Sequence, residues 1–99
     1  MVKHIILWKL RDDIPPEKIP AVKDEIKAGL ESLIDKIPGI LSITVHTNPL
    51  PQSNADLMLD STFESEEALA IYQSHPEHIK VATFVRANVS SRTCMDFIA

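Results

Sequence analysis

Two kinds of periodicity alternate along this chain, and their order limits the folds that it can adopt. Four short stretches have the alternating or β-rich apolar character of strands, at residues 2–10, 40–46, 55–63 and 90–98. Between the first two, and again between the last two, apolar residues recur every three or four positions, as in amphipathic helices. The predicted order of elements is therefore β-α-β-β-α-β.

The first predicted strand is apolar on both of its faces. One face carries His4, Ile6, Trp8 and Leu10, and the other carries Ile5 and Leu7. Successive side chains of a strand point to opposite sides of the sheet, so a strand of this kind needs a covering layer on each side. We expect it to be a central strand.

Prolines mark the ends of both predicted helices. Pro20 suits the first turn of the first helix, and Pro38-Gly39 ends that helix. The second helix begins after Ser65, an N-cap residue that two glutamates follow. Pro76 breaks it, because proline lacks the backbone N–H and its ring clashes with the preceding turn. His75 then lies at a junction, and Pro76 can open a new helical segment.

The order of elements predicts the architecture when the rules for connections between strands are applied. Right-handed crossovers place both helical segments on one face of a four-stranded antiparallel sheet, which is the ferredoxin-like, split β-α-β-β-α-β arrangement of the α+β class. Ile5, Leu7 and Met58 lie on the face away from the helices, and such apolar patches mark interfaces. We predict a homodimer in which two sheets pack through these faces, with Asp60 and Thr62 making the contact partly polar.

Length and composition indicate one globular domain spanning residues 1–99. No stretch approaches the roughly 18 apolar residues that a membrane helix needs. The apolar run near the first residue is interrupted by Lys9 and lacks a small-residue cleavage site, so we expect no secretory signal and a cytoplasmic location. The net charge is -4 with scattered lysines and arginines, and nucleic acid is therefore not an expected partner.

The sequence favours neither a cofactor nor a metal. Only Gly29 and Gly39 are glycines, which excludes a glycine-rich phosphate loop. His75 and His78 have a spacing that can suit a metal, but a proline lies between them and no third ligand is near in sequence. Cys94 is the only cysteine, so an internal disulfide is excluded, and we expect it to be a small buried apolar residue.

The stretch from residue 72 to residue 78 contains the residues most suggestive of chemistry. A helix that starts at Pro76 would disfavour a protonated His78 at its positive end, and a neutral imidazole beside the phenol of Tyr72 is a plausible acid/base pair. The alternative is structural. His75 and His78 can satisfy free backbone groups at the break, and Tyr72 can be a core residue whose hydroxyl reaches a partner.

Several segments together resemble the stress-responsive dimeric α+β barrel family. They are MVKHIILWKL at residues 1–10, IPGI at 37–40, FES at 63–65, Tyr72 with HPEH at 75–78, Arg86, and Asp96-Phe97. The resemblance implies a dimeric barrel and a link to stress response. It also implies that Tyr72 and His78 correspond to the tyrosine and histidine with which a plant polyketide cyclase of the family closes its substrate by an aldol step. His4 matches a further pocket histidine of that cyclase, whereas Leu57 replaces another.

These observations predict a pocket between the helices and the sheet. The expected ligand-binding residues are His4, Ile6, Trp8, Leu57, Leu59 and His75, and the expected catalytic residues are Tyr72 and His78. One hypothesis is a stress-response barrel protein that binds a small apolar or aromatic ligand. The other is a cofactor-free, polyketide cyclase-like lyase, in which His78 removes a proton α to a carbonyl while Tyr72 donates to the enolate oxygen.

Overall fold

The computed structural model describes all 99 residues of the chain. The strands are β1 (Val2–Leu10), β2 (Ile40–His46), β3 (Leu57–Phe63) and β4 (Val89–Ile98). The helices are α1 (Ile19–Glu31), α2 (Glu66–Ser74) and α3 (Pro76–Asn88). Short 3-10 turns at Pro16–Lys18 and Ser32–Asp35 flank α1. None of the helices has the length and apolar character needed to cross a lipid bilayer.

The strands form one antiparallel sheet in the order β2-β3-β1-β4, with the helices on one face. This confirms the predicted ferredoxin-like α+β fold. It also confirms that β1, apolar on both faces, is central, since it pairs with β3 on one side and β4 on the other. In this register His4 lies opposite Ser61 and Asp96, and Trp8 lies opposite Leu57 and Arg92.

Two element boundaries differ from the prediction by more than one residue, whereas β4 begins one residue early, at Val89. The regular part of α1 ends at Glu31, and the chain tightens into a 3-10 turn before Pro38, as helix ends often do. Strand β3 begins at Leu57, two residues later than predicted, because Asp56 forms hydrogen bonds with the end of β1. The Asp56 backbone N–H donates to the Trp8 carbonyl at 2.8 Å, and the Asp56 carboxylate accepts from the Leu10 N–H at 2.8 Å.

The hydrophobic core lies between the sheet and the helices. It is formed mainly by Ile6, Trp8, Ile26, Leu30, Leu33, Ile37, Val45, Leu57, Leu59, Phe63, Leu69, Tyr72 and Val85. Gly39 makes close packing possible at one edge. It has a positive φ of 92°, and a Cβ there would lie 2.7 Å from the Cβ of Ala68, so only glycine fits.

The opposite face of the sheet is uncovered in the single chain and is apolar at its centre. Leu7, Met95 and Phe97 are 39%, 66% and 41% exposed there. Asp60, expected to make this face polar, forms an ion pair of 2.6 Å with Lys3, which also donates to Thr62. The charge of the acid is thus balanced within the chain, and Lys3, Asp60 and Thr62 form a polar part of this otherwise apolar centre.

Candidate functional site

A cavity of about 540 Å³ opens between the sheet and the helices, with lining residues from α1, α2 and α3. Its apolar wall comes from Ile6, Trp8, Leu30, Leu59, Ala82, Val85 and Val89. Its polar lining consists of His4, Tyr72, Gln73, His78, Ser90, Ser91, Arg86 and Arg92. A mostly apolar concavity of this size with a few polar groups is typical of small-molecule sites.

The structure brings most of the predicted site residues to this cavity. His4, Ile6, Trp8, Leu59, Tyr72 and His78 all line it. Leu57 does not. It is buried at the start of β3 and borders a separate hollow beside the loop between β2 and β3. His75 also lies outside the lining.

His75 occupies the junction between α2 and α3. Its backbone is extended, with φ -67° and ψ 135°, and its Nδ1 accepts from the Glu77 N–H at 3.1 Å. Pro76 takes the first position of α3, where a missing N–H costs nothing. The predicted helix break is confirmed, and the geometry of His75 is that of an N-cap.

Tyr72 is fully buried at the centre of an aromatic cluster. Its ring centroid lies 4.3 Å from that of His78 and 4.9 Å from that of Phe63. The Tyr72 hydroxyl is buried and has no hydrogen-bond partner. Burial raises the pKa of this phenol well above its usual value, so at neutral pH it is a proton donor without an acceptor.

The His78 ring contacts the Tyr72 ring at a tilt of 39°, and it also forms a hydrogen bond with the backbone of α2. Its Nδ1 lies 3.2 Å from the Gln73 carbonyl oxygen. A carbonyl can only accept, so Nδ1 carries the proton, and in the neutral ring Nε2 is unprotonated. Burial lowers the pKa of His78, the hydrogen bond to the Gln73 carbonyl opposes this, and the electrostatic effects of His4, Arg86 and Arg92 add to the lowering. His78 is therefore a neutral base at physiological pH.

A further group beside the cavity was not predicted. His4 is buried, and its Nδ1 is hydrogen-bonded to the Asp96 carboxylate, which fixes the proton on Nδ1. The Sγ of Cys94 lies 3.8 Å from the His4 Nδ1 and 3.5 Å from the Asp96 Oδ1. His4, Cys94 and Asp96 are the one set of three side chains close enough together to hold a metal ion.

The expectation that Cys94 is buried is wrong, since its residue is exposed on the edge strand β4. Burial of the sulfur atom and the neighbouring Asp96 carboxylate still raise the pKa of the thiol, which makes it a poor nucleophile at neutral pH. Sequence alone could place Cys94 and Asp96 on one face of a strand, because they are two residues apart. It could not bring them to His4, which the β1–β4 register does.

Comparison with known proteins identifies the family of this chain. The profile of the Stress responsive A/B Barrel Domain family matches residues 2–99. The chain belongs to the stress-responsive A/B barrel family. The stress-response A/B barrel domain-containing protein HS1 of Arabidopsis thaliana is 31% identical over 100 residues, which cover 97% of this chain and 87% of HS1. The predicted family is thus confirmed.

Solved structures show the same fold for this stress-responsive A/B barrel protein. A dimeric ferredoxin-like protein of unknown function from Bacteroides fragilis superposes with a TM-score of 0.90 at 36% identity, over 97% of this chain and 93% of that one. The Arabidopsis thaliana protein At3g17210 superposes with a TM-score of 0.82 at 27% identity, over 100% and 95% of the two chains. Both comparisons cover almost the whole β-α-β-β-α-β unit.

Proposed function

We propose that this stress-responsive A/B barrel protein binds a small apolar or aromatic ligand in the cavity between the sheet and the helices. The observation that supports this proposal is the Tyr72 hydroxyl. Tyr72 lines the cavity, and its hydroxyl is buried without a hydrogen-bond partner. A buried polar group without a hydrogen bond costs roughly 1–3 kcal/mol. A ligand oxygen that accepted from Tyr72 would remove this cost.

The rest of the lining fits such a ligand. Ile6, Trp8 and Leu59 present an apolar surface from the sheet, and Trp8 adds an aromatic face. His78 adds an imidazole whose Nε2 is an acceptor, on a ring that contacts the ring of Tyr72. A ring or short chain bearing a carbonyl or hydroxyl oxygen would match both the apolar surface and this polar pair.

Trp8 provides a direct test, because it is the only tryptophan and it lines the cavity. We expect 4-butylbenzamide, a neutral aromatic probe, to change the Trp8 fluorescence in a saturable manner. Replacing the lining residue Ala82 with Phe should abolish this change by filling the space. Ala87→Phe on the exposed side of the same helix is the matched control and should leave it intact. Absence of any saturable response, or a response that survives Ala82→Phe, would refute the proposal.

A second candidate is proton transfer at a carbonyl compound, favoured by one specific observation. The neutral, half-buried His78 has an unprotonated Nε2, and its ring contacts that of Tyr72 with the centroids 4.3 Å apart. Such a pair can remove a proton α to a carbonyl while the phenol donates to the developing enolate oxygen, as in the cyclase-like lyase alternative. The test is α-deuterium exchange of 4-butylacetophenone, followed by NMR. The idea fails if His78→Ala, still folded and still binding the ketone, exchanges it as fast as the wild type.

We also propose that two chains form a homodimer by packing their uncovered sheet faces together. Leu7, Met95 and Phe97 would then be buried, at an inter-sheet distance of about 10 Å. The Bacteroides fragilis relative, which is 36% identical, is described as dimeric. Sedimentation velocity of Leu7→Glu/Met95→Glu should show monomers. Ile71→Glu, which alters an exposed apolar residue of α2, should leave dimers. A wild-type chain that sediments as a folded monomer at micromolar concentration would exclude the dimer.

A cytoplasmic location is proposed on the chemistry of the single cysteine. Cys94 is unpaired and exposed in the chain, which suits a compartment that keeps thiols reduced. Fractionation of cells that express the tagged protein at low level tests this. Recovery with a membrane or secreted fraction would contradict it.

A further inference from the structure

The charged side chains that line the cavity are all positive. Arg86 from α3 and Arg92 from β4 both contribute to its wall, and no aspartate or glutamate does. This is unusual for the chain, which has 14 acidic and 10 basic side chains and a net charge of -4. Two of its three arginines are thus found at one cavity.

Neither of these guanidinium groups has a carboxylate partner. The ion pairs of the chain engage Lys3, His4, Arg11, Lys27, Lys36 and Lys80, but not Arg86 or Arg92. The third arginine shows the usual arrangement for an exposed cation, since Arg11 binds Asp13 through two nitrogens at 3.0 and 2.8 Å. The two cavity arginines therefore have unused donors.

We infer that the ligand of this cavity is an amphipathic acid, whose apolar or aromatic body lies against Ile6, Trp8 and Leu59 and whose carboxylate is held by Arg86 and Arg92. This inference rests on the proposed ligand-binding function and names the chemical class of the ligand. A guanidinium is planar and presents paired N–H donors, which match the two oxygens of a carboxylate better than a lysine ammonium does.

The layout of the cavity separates the two parts of such a molecule. The apolar residues are buried on the sheet side, whereas Arg86 and Arg92 are exposed. An acid group at the arginines would keep contact with water, so its desolvation cost would be small. The Tyr72 hydroxyl, in the buried part, would remain available for a second oxygen on the ligand.

A pair of shape-matched probes tests the inference, 4-butylbenzoate and 4-butylbenzamide, which differ in charge. Binding to the full-length protein is followed by Trp8 fluorescence at low salt. We expect the carboxylate to bind about tenfold more tightly than the amide, as two charge-assisted contacts near the surface would provide. In Arg86→Gln/Arg92→Gln this preference should fall to about twofold or less.

Arg11→Gln/Lys18→Gln is the charge-matched control, since it removes the same two positive charges at exposed positions away from the cavity. It should keep the preference for the carboxylate. If instead both double variants lose it equally, the effect is one of net charge and the inference is wrong. It is also wrong if the wild type binds both probes alike, which leaves the proposed ligand binding in place. Failure of both probes to bind overturns the two proposals together.

His78 supplies a second readout that does not depend on affinity. Arg86 and Arg92 both lower the pKa of His78, so a bound carboxylate that neutralises them should raise that pKa. An NMR titration of the His78 ring should show an upward shift of the pKa with 4-butylbenzoate and a smaller one with the amide. A pKa that does not respond to the bound carboxylate contradicts placement of the acid group at these arginines.

Discussion

Removal of the Tyr72 hydroxyl should stabilise the ligand-free protein. The Tyr72 side chain is fully buried, its ring packs on Phe63 and His78, and its hydroxyl has no partner. Tyr72→Phe keeps the ring contacts and removes the unpaired group. An unsatisfied buried donor costs about 1–3 kcal/mol, and a small void remains in its place. We therefore expect a net gain of about 1 kcal/mol in the free energy of unfolding.

Ser61→Ala is a matched control with the opposite expected sign. Ser61 is also fully buried, but its hydroxyl donates to the His4 carbonyl at 2.8 Å. Removing this satisfied hydroxyl should cost about 1 kcal/mol, because a buried hydrogen bond is lost. The two variants thus delete the same chemical group from two buried sites that differ mainly in whether it is hydrogen-bonded.

Urea unfolding at fixed protein concentration measures both changes, and the concentration must be fixed because association would add to apparent stability. A change of 1 kcal/mol corresponds to about 4–8 °C in Tm for a domain of this size. Tyr72→Phe should also weaken binding of 4-butylbenzamide, so stability and binding move in opposite directions. A Tyr72→Phe protein destabilised as much as Ser61→Ala would show that the Tyr72 hydroxyl has a partner, and the observation that carries the proposed function would be lost.

Three further predictions concern backbone geometry and pH. Gly39→Ala should lower the free energy of unfolding by about 2 kcal/mol or more, because φ is positive and the new Cβ would lie 2.7 Å from Ala68. Gly29→Ala, whose Cβ would lie 3.2 Å from a methyl group of Val81 and whose backbone has no positive φ, should change it by less than about 1 kcal/mol. His75→Ala should lower the free energy of unfolding, measured in urea, by about 1 kcal/mol, because the N-cap of α3 is lost. A variant as stable as the wild type would show that His75 does not act as an N-cap. The pKa of His78 is lowered from 6.5 in the folded state, so the unfolded chain takes up the proton first as the pH falls. The free energy of unfolding should therefore decrease below pH 6.5 until the folded-state pKa is passed, and His78→Gln should flatten this part of the pH profile.

The sequence predicted those parts of the structure that depend on local rules. The period of each segment identified its element, and Ser65 and Pro76 located the starts of α2 and α3. Connectivity then fixed the sheet topology. Boundaries shifted where a tertiary contact intervened, as at Asp56, whose hydrogen bonds to β1 delay the start of β3. No periodicity encodes such a contact.

The cavity was less predictable because its polar residues come from distant parts of the chain. The ring of His4 meets the carboxylate of Asp96 only through the β1–β4 register, and Arg86 and Arg92 reach the same cavity from α3 and β4. Arg86 and Arg92 are proposed as ligand-binding residues because neither has a carboxylate partner. A sequence does not show which cations are paired. The pairing of Tyr72 with His78 was predictable because both belong to one short stretch.

The helix break is what brings that pair together. In a continuous α-helix, residues six positions apart lie roughly 120° apart around the axis and about 9 Å apart along it, so the rings of Tyr72 and His78 could not be in contact. The extended backbone at His75 redirects the chain, and the ring centroids lie 4.3 Å apart.

The structural and chemical interpretations of His78 are therefore compatible. Its Nδ1 satisfies the carbonyl of Gln73 in the last turn of α2, which is a structural role at the break. The same hydrogen bond fixes the tautomer and leaves Nε2 unprotonated beside Tyr72. A substitution that keeps a donor for the Gln73 carbonyl but lacks a base, as in His78→Asn, should separate the two roles. It should retain more stability than His78→Ala, yet lose α-proton exchange to the same extent.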